Sequence, residues 1–200
     1  SKTVVSGAFT SQYKGQPANG STVDARGASW TLSDGWISTP KVSTNVCWVG
    51  GEFKLTFDDS KLSPTDAWAN IWHHNGGETL KYNNANWVFD SITIRHVGDA
   101  FNLSTGAQNF TIRDSHIVDV HDDCVQNDDM HAGEVHHNYF EGCYAGFSAR
   151  ASAGDTPNDG HLNTWNIHDN VIWMKPTRSV YKGDSPGIGQ IIKWEKTNPQ

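Results

Sequence analysis

Three stretches of this 200-residue sequence align without gaps, and they decide the fold. They are NWVFDSITIRHVGDAFNLS (residues 86–104), NFTIRDSHIVDVHDDCVQN (109–127) and AGEVHHNYFEGCYAGFSAR (132–150), and each begins 23 residues after the one before it. A repeat of this length indicates that one structural unit recurs and stacks on its neighbours, because a single unit cannot bury its own apolar face.

Apolar residues occupy matching positions in the three stretches. They form short runs of Ile, Val and Phe broken by Gly, Asn and Asp, which is typical of strands and not of helices. The aligned columns are Phe89/Ile112/Val135, Ile94/Ile117/Phe140, Val97/Val120/Cys143 and Phe101/Cys124/Phe147. The sequence therefore predicts an all-β fold, a right-handed parallel β-helix with coils of about 23 residues.

The same template fits the sequence on either side of the three stretches. NVCWVGGEF (45–53) and NTWNIHDNVI (163–172) match it, and QIIKWE (190–195) has the pattern of a further strand. We expect residues 1–200 to form a single β-helix domain. A bare last coil would expose a sheet edge, so we also expect an additional β-helix segment or another chain at the C-terminal end.

Composition excludes several classes of protein. Hydrophobic residues make up 36% of the chain and charged residues 18%, which argues against a disordered chain. The formal net charge is −7 and Lys and Arg do not cluster, so we expect no nucleic-acid partner. The sequence contains no apolar run long enough to predict a membrane span. We expect a secreted, periplasmic or cell-surface protein whose signal has been removed.

Three cysteines, Cys47, Cys124 and Cys143, cannot all pair with one another. The sequence contains no CxxC motif, which argues against a structural zinc site. We expect at least two of the cysteines to be buried as small hydrophobic residues.

Acidic residues recur at the turn that follows the second strand of each coil. Asp99 lies one repeat before Asp122, with Asp123 beside it. Neighbouring strands are about 4.8 Å apart, so the three carboxylates should lie close together and at least one pKa should be raised. Glycoside hydrolysis needs one protonated carboxyl group and one ionised carboxylate. We therefore predict Asp99, Asp122, Asp123 and the adjacent His121, which could orient or protonate, as catalytic residues.

The segments Gly98-Asp99-Ala100 and, one coil later, Asp122-Asp123-Cys124 resemble the pectin-lyase-like superfamily, and within it the polygalacturonase family of glycoside hydrolases. That family carries Gly-His-Gly one coil further on, where this chain has Tyr144-Ala145-Gly146, and later an Arg-x-Lys, to which Lys193 is the nearest counterpart. The resemblance covers residues 86–150 and implies an inverting, polysaccharide-cleaving hydrolase that uses three aspartates.

The substrate would contact side chains near the acidic residues. Arg150 falls in one aligned column with Ser104 and Asn127, where it could reach a substrate carboxylate or pair with a neighbouring aspartate. Tyr144 could stack on a sugar ring. The predicted substrate-binding residues are Arg150, Tyr144, Asn127 and Lys193.

Two alternatives remain open from the sequence. One is a calcium-dependent polysaccharide lyase, because calcium prefers several oxygen ligands. Its ligands would be Asp122, Asp123, Asp128 and Asp129, and its base Arg150, Lys175 or Lys193. The other is a glycan-binding or fibre protein without catalysis. Adjacent histidines such as His136 and His137 face opposite sides of a strand, so we predict no histidine metal site and no cofactor beyond a possible calcium ion.

Overall fold

The computed structural model describes residues 1–33, 43–56, 58–63, 66, 70, 78–80, 84–104, 106–150, 162–175 and 189–195. These residues form fifteen β-strands, and every strand pairing among them is parallel. In chain order the strands are β1 (Lys2–Phe9), β2 (Thr22–Leu32), β3 (Cys47–Val49), β4 (Glu52–Leu55), β5 (Glu78–Leu80), β6 (Val88–Asp90), β7 (Thr93–Val97), β8 (Phe101–Leu103), β9 (Phe110–Arg113), β10 (His116–Asp128), β11 (Gly133–His136), β12 (Tyr139–Arg150), β13 (Trp165–His168), β14 (Val171–Trp173) and β15 (Gln190–Glu195). The fold is therefore all-β, as the sequence predicts.

The strands join into one curled parallel sheet. Eleven of them follow the path β13-β11-β9-β6-β3-β2-β4-β7-β10-β12-β14. The long strands β10 and β12 extend beyond this path, and their second halves pair with β8 and β15. Successive layers thus contribute strands to three stacks, which we call the first stack (β3, β6, β9, β11, β13), the second stack (β4, β7, β14 and the first halves of β10 and β12) and the third stack (β5, β8, β15 and the second halves of β10 and β12). No helix in the described part of the chain is long and apolar enough to span a membrane.

Three of the four predicted apolar columns are confirmed by the strand register. Ile112 pairs with Phe89 and Val135, and the columns through Ile117 and Val120 also pair as aligned. These side chains are at most 1% exposed and form the core between the stacks. Burial of apolar surface stabilises a fold by about 25 cal/mol per Å². The burial of these columns, which consist mainly of Ile, Val and Phe, is therefore the main stabilising contribution.

The fourth column, Phe101/Cys124/Phe147, is wrong by one residue. Phe101 pairs with Val125, and Val125 pairs with Phe147. The cause is a β-bulge, because four residues separate Val120 from Val125 in β10 and three separate the corresponding residues of the neighbouring layers. For the same reason Asn127 pairs with Leu103 and Ala149, so the predicted column of Ser104, Asn127 and Arg150 is wrong as well.

Left-handed residues turn the chain between the stacks at matching positions in successive layers. Asn45, Asn86 and Asn109 have φ of 57°, 59° and 56°, which asparagine tolerates better than most residues. Their side-chain amides donate along the column, from Asn86 to Asn45 over 2.9 Å and from Asn109 to Asn86 over 3.1 Å. The turns are therefore held in register by side chains as well as by the backbone.

Cys124 and Cys143 form a disulfide that links β10 to β12, and Cys47 is free. The predicted burial of two cysteines is confirmed, because Cys124 and Cys143 are at most 1% exposed, but the expectation that they are unpaired is wrong. The two residues belong to adjacent layers and both face the interior, with their Cα atoms 5.7 Å apart, within the range that a disulfide requires.

We expect reduction of this disulfide to lower the free energy of unfolding by roughly 3 kcal/mol, because it closes a loop between residues 19 positions apart in the sequence. Denaturant unfolding with and without reductant measures the effect. The variant Cys47→Ala should respond as the wild type does, and a Cys124→Ala/Cys143→Ala double variant should not respond. Equal stability of the reduced and oxidised wild type would contradict the expectation.

Candidate active site

Backbone hydrogen bonds hold the three predicted catalytic aspartates together at the bulge in β10. Asp99 lies in the turn between β7 and β8, one layer before Asp122 and Asp123. The amide of Asp122 donates to the carbonyl of Gly98 over 2.9 Å, and the amide of Ala100 donates to the carbonyl of Asp123 over 3.0 Å. The amide of Asp123 also donates to Oδ1 of Asp99 over 3.0 Å. The extra residue in β10 thus places two carboxylates beside one carboxylate of the preceding layer.

These three residues, which we call the acid cluster, are close together and buried. One carboxylate oxygen from each lies within 4.8 Å of the others. Asp99, Asp122 and Asp123 are 3%, 6% and 2% exposed. Water screens charges poorly at a buried site, so three ionised carboxylates this close together would repel one another strongly. The cluster therefore needs protons or a cation.

Lys193 supplies a cation to the acid cluster. It lies on β15, where it pairs in register with Ser148 of β12. Its Nζ lies 2.7 Å from Oδ1 of Asp123 and 3.2 Å from Oδ1 of Asp122. The hydroxyl of Ser148 donates to Oδ2 of Asp123. Asp123 is therefore the carboxylate with the most compensation for a negative charge.

One positive charge does not balance three carboxylates, and their pKa values rise. Burial, reinforced by the charge of Asp123 and opposed by Lys193, raises the pKa of Asp122 to about 7. Burial and the charges of Asp123 and Asp122 raise the pKa of Asp99 well above its usual range. Burial also raises the pKa of Asp123, against the opposing effects of Lys193 and Ser148. Near neutral pH the cluster therefore holds at least one proton beside a compensated carboxylate, which is the combination that acid–base chemistry needs.

His121 belongs to a second group, which we call the His–Asp cluster: His96, Asp119, His121 and Asp59. Nδ1 of His96 lies 2.6 Å from Oδ2 of Asp119. Nε2 of His121 lies 3.5 Å from Oδ1 of Asp119 and 3.9 Å from Oδ2 of Asp59. Burial alone would raise the pKa of Asp119, but hydrogen bonds with His121 and His96 hold it below its usual range.

The His–Asp cluster was not predicted from the sequence, because His121 is adjacent to Asp122 in the chain and was therefore assigned to the acidic residues. The signal was present, since His96 and Asp119 are one repeat apart and therefore occupy one column. Three members of the cluster, Asp59, His96 and Asp119, line a surface depression of about 610 Å³ together with residues that include Thr31, Lys54 and Arg95.

Arg150 and Asn127, two of the predicted substrate-binding residues, are engaged with partners away from the acid cluster. Arg150 forms a two-point ion pair with Asp128, at 2.7 and 2.8 Å, which is the alternative noted above. Asn127 is fully buried, and its side chain exchanges two 2.9 Å hydrogen bonds with the backbone of His131. Asn127 therefore closes a turn and does not reach solvent. Tyr144 is half-buried on β12, next to Ala145, the register partner of Asp123.

The four carboxylates considered for calcium separate into two places. Among the described residues, Asp122 and Asp123 group with Asp99, and neither Asp128 nor Asp129 joins that group. Gln126 and Arg150 both donate to Asp128. The acid cluster could itself hold a cation through three oxygens, but Lys193 already lies against two of its members.

Comparisons with family models, with curated proteins and with solved structures each found no match to this chain.

The raised pKa of Asp122 makes stability depend on pH. The folded state keeps a proton on Asp122 up to about pH 7, whereas the unfolded chain releases it near pH 4. The stability from this proton is therefore present at low pH and is lost as pH rises through about 7.

We expect the free energy of unfolding to fall more steeply between about pH 5 and pH 7.5 in the wild type than in Asp122→Asn, which cannot ionise. Urea unfolding at several pH values measures both curves. The control variant is Asp114→Asn, which removes an exposed carboxylate at a residue with φ of 52°, a left-handed conformation that Asn tolerates. Its stability should depend on pH as that of the wild type does. Parallel curves for the wild type and Asp122→Asn would refute the assignment.

Proposed function

We propose that this chain is a polysaccharide-cleaving enzyme, a glycoside hydrolase whose catalytic groups are the acid cluster. One observation carries the proposal: three buried carboxylates have one oxygen each within 4.8 Å of the others, and one lysine contacts two of them. Such an arrangement costs folding free energy and is therefore uncommon without a chemical role. The resemblance of the same residues to the polygalacturonase family supports the same activity.

In this proposal the three carboxyl groups have different roles. Asp122 is the general acid, because its pKa of about 7 keeps it partly protonated at neutral pH and it is the most exposed member. Asp123 is the carboxylate that activates water or attacks the sugar, because Lys193 and Ser148 compensate its charge. Asp99 accepts the amide of Asp123 and holds that segment in place.

The spacing of the carboxylates bears on the stereochemistry. Inverting glycosidases separate their two carboxyl groups by about 6.5–9.5 Å, and retaining enzymes by about 5–5.5 Å. One oxygen from each residue of the acid cluster lies within 4.8 Å of the others. The anomeric configuration of the first-formed product therefore decides between a retaining route, in which Asp123 is the nucleophile, and the inverting route that the family resemblance implies.

We also propose that the curled parallel sheet is a right-handed parallel β-helix. The three stacks and the 23-residue register between β6, β9 and β11 support this fold. The Cys124–Cys143 disulfide supports a secreted, periplasmic or cell-surface location, since disulfides persist in oxidising compartments.

The last described layer supports an additional segment at that end of the sheet. Val171, Trp173, Ile191 and Ile192 on β14 and β15 are 50–60% exposed. Apolar side chains on an edge strand favour pairing with another strand. We propose that a further β-helix segment or a second chain covers this edge, and a concentration-dependent mass in sedimentation would identify a second copy of the chain.

The activity test uses a panel of plant and algal polysaccharides, each incubated with and without chelator. We expect new reducing ends, and we expect Asp122→Asn and Asp123→Asn each to lower kcat by about 10²–10⁴-fold. The rate should fall as pH rises above about 7, because Asp122 then loses its proton, and this limb should be absent in Asp122→Asn.

The control is Asp114→Asn, which should keep the wild-type rate, with circular dichroism to show that every variant is folded. Nuclear magnetic resonance of the first-formed product gives its anomeric configuration and separates retention from inversion. An unsaturated product lost on chelation would replace the hydrolase with a calcium lyase. Glycan binding without cleavage, unchanged in the aspartate variants, would leave a binding protein.

A further inference from the structure

The His–Asp cluster lies outside the proposed catalytic residues and has a composition of its own. It combines two imidazoles and two carboxylates from three separate segments of the chain. His96 lies on β7, Asp119 and His121 lie on β10, and Asp59 lies in residues 58–63. His121 and Asp59 are buried, at 3% and 9% exposure, and His96 is half-buried.

We propose that the His–Asp cluster is a binding site for one divalent transition-metal ion of the zinc type. Two imidazole nitrogens with carboxylate oxygens form the mixed nitrogen and oxygen donor set that zinc and its neighbours in the first transition row bind. Calcium and magnesium prefer oxygen ligands alone, so the two histidines select against them.

The distances between donor atoms fit this assignment. With metal–ligand bonds of about 2.0–2.2 Å, two ligands of a tetrahedral ion lie roughly 3.3–3.6 Å apart. Nε2 of His121 lies 3.5 Å from Oδ1 of Asp119 and 3.9 Å from Oδ2 of Asp59. One donor atom each from His96, Asp119 and His121 lies within 4.8 Å of the others. His96, Asp119 and His121 therefore converge as a set of three ligands, and Asp59 lies beside His121.

The contact between His96 and Asp119 must change when the ion binds. Their 2.6 Å separation is a hydrogen bond, so a proton lies between Nδ1 and the carboxylate. The ion takes the place of this proton, which leaves to solvent or moves to the other ring nitrogen.

The backbone presents these ligands at a place that an ion can reach. His96 and Asp119 both have φ of 55°, and this left-handed bend occurs in successive layers. The next residue of the column is Gly142, with φ of 70°, and the side chain of Lys175 packs beside it. The adjacent depression of about 610 Å³ gives an entry path from solvent, and in its lining Asp58, Asp59 and Asp119 outnumber the cations Lys54 and Arg95.

The full-length chain, stripped with chelator and dialysed, is titrated with Zn²⁺ by calorimetry and with Co²⁺ by visible absorption. We expect one ion per chain, a rise in Tm on binding, and the visible bands of four-coordinate Co²⁺. Asp119→Asn and His96→Gln should each weaken Zn²⁺ affinity at least tenfold, on the order of the loss seen for metal-site residues elsewhere.

Both variants change partly exposed side chains, and circular dichroism shows whether they remain folded. The matched control is His168→Gln, which removes an exposed histidine paired with Asp169 and should bind as the wild type does. Asp122→Asn should also bind Zn²⁺ normally, so the metal site and the hydrolase can fail independently. Less than one ion per chain, or affinity unchanged in both variants, would overturn the proposal.

Discussion

Parallel pairing between layers is the constraint on which the other features depend. Because equivalent residues of successive layers lie one strand spacing apart, about 4.8 Å, a residue type repeated along the sequence becomes a column in space. Apolar columns give the core through Ile112 and Ile117, and asparagine columns hold the turns. The same geometry forces Asp99 against Asp122 and Asp123, and His96 against Asp119.

The two polar clusters differ in how their charges are balanced. In the acid cluster, burial dominates, one lysine faces three carboxylates, and pKa values rise. In the His–Asp cluster, hydrogen bonds from two imidazoles stabilise the ionised form of Asp119, and its pKa falls. One strand, β10, carries members of both clusters within five consecutive residues, and the register shift of the β-bulge falls between Val120 and Asp123.

Much of this could be predicted from the sequence, because a gapless repeat fixes register and register fixes columns. The strands, three apolar columns and the proximity of the three aspartates all follow from it. The bulge in β10 could not be predicted. The three stretches align without a gap, so the alignment gives no sign that one layer uses an extra residue between Val120 and Val125. The disulfide and the separation of His121 from the acid cluster were missed because they depend on local backbone direction. The contact of Lys193 with Asp122 spans 71 residues and depends on loops without a repeat.

That long separation has a consequence for how the protein is made. The ribosome delivers Asp99, Asp122 and Asp123 well before Lys193, and the layers that carry the acids can stack as soon as they emerge. Until β15 docks on β12, the nascent acid cluster lacks its counter-charge and must carry additional protons or stay open to water. Docking of β15 therefore completes the electrostatics of the site, so the chemistry of the acid cluster matures only after a strand 71 residues further along the chain has been added.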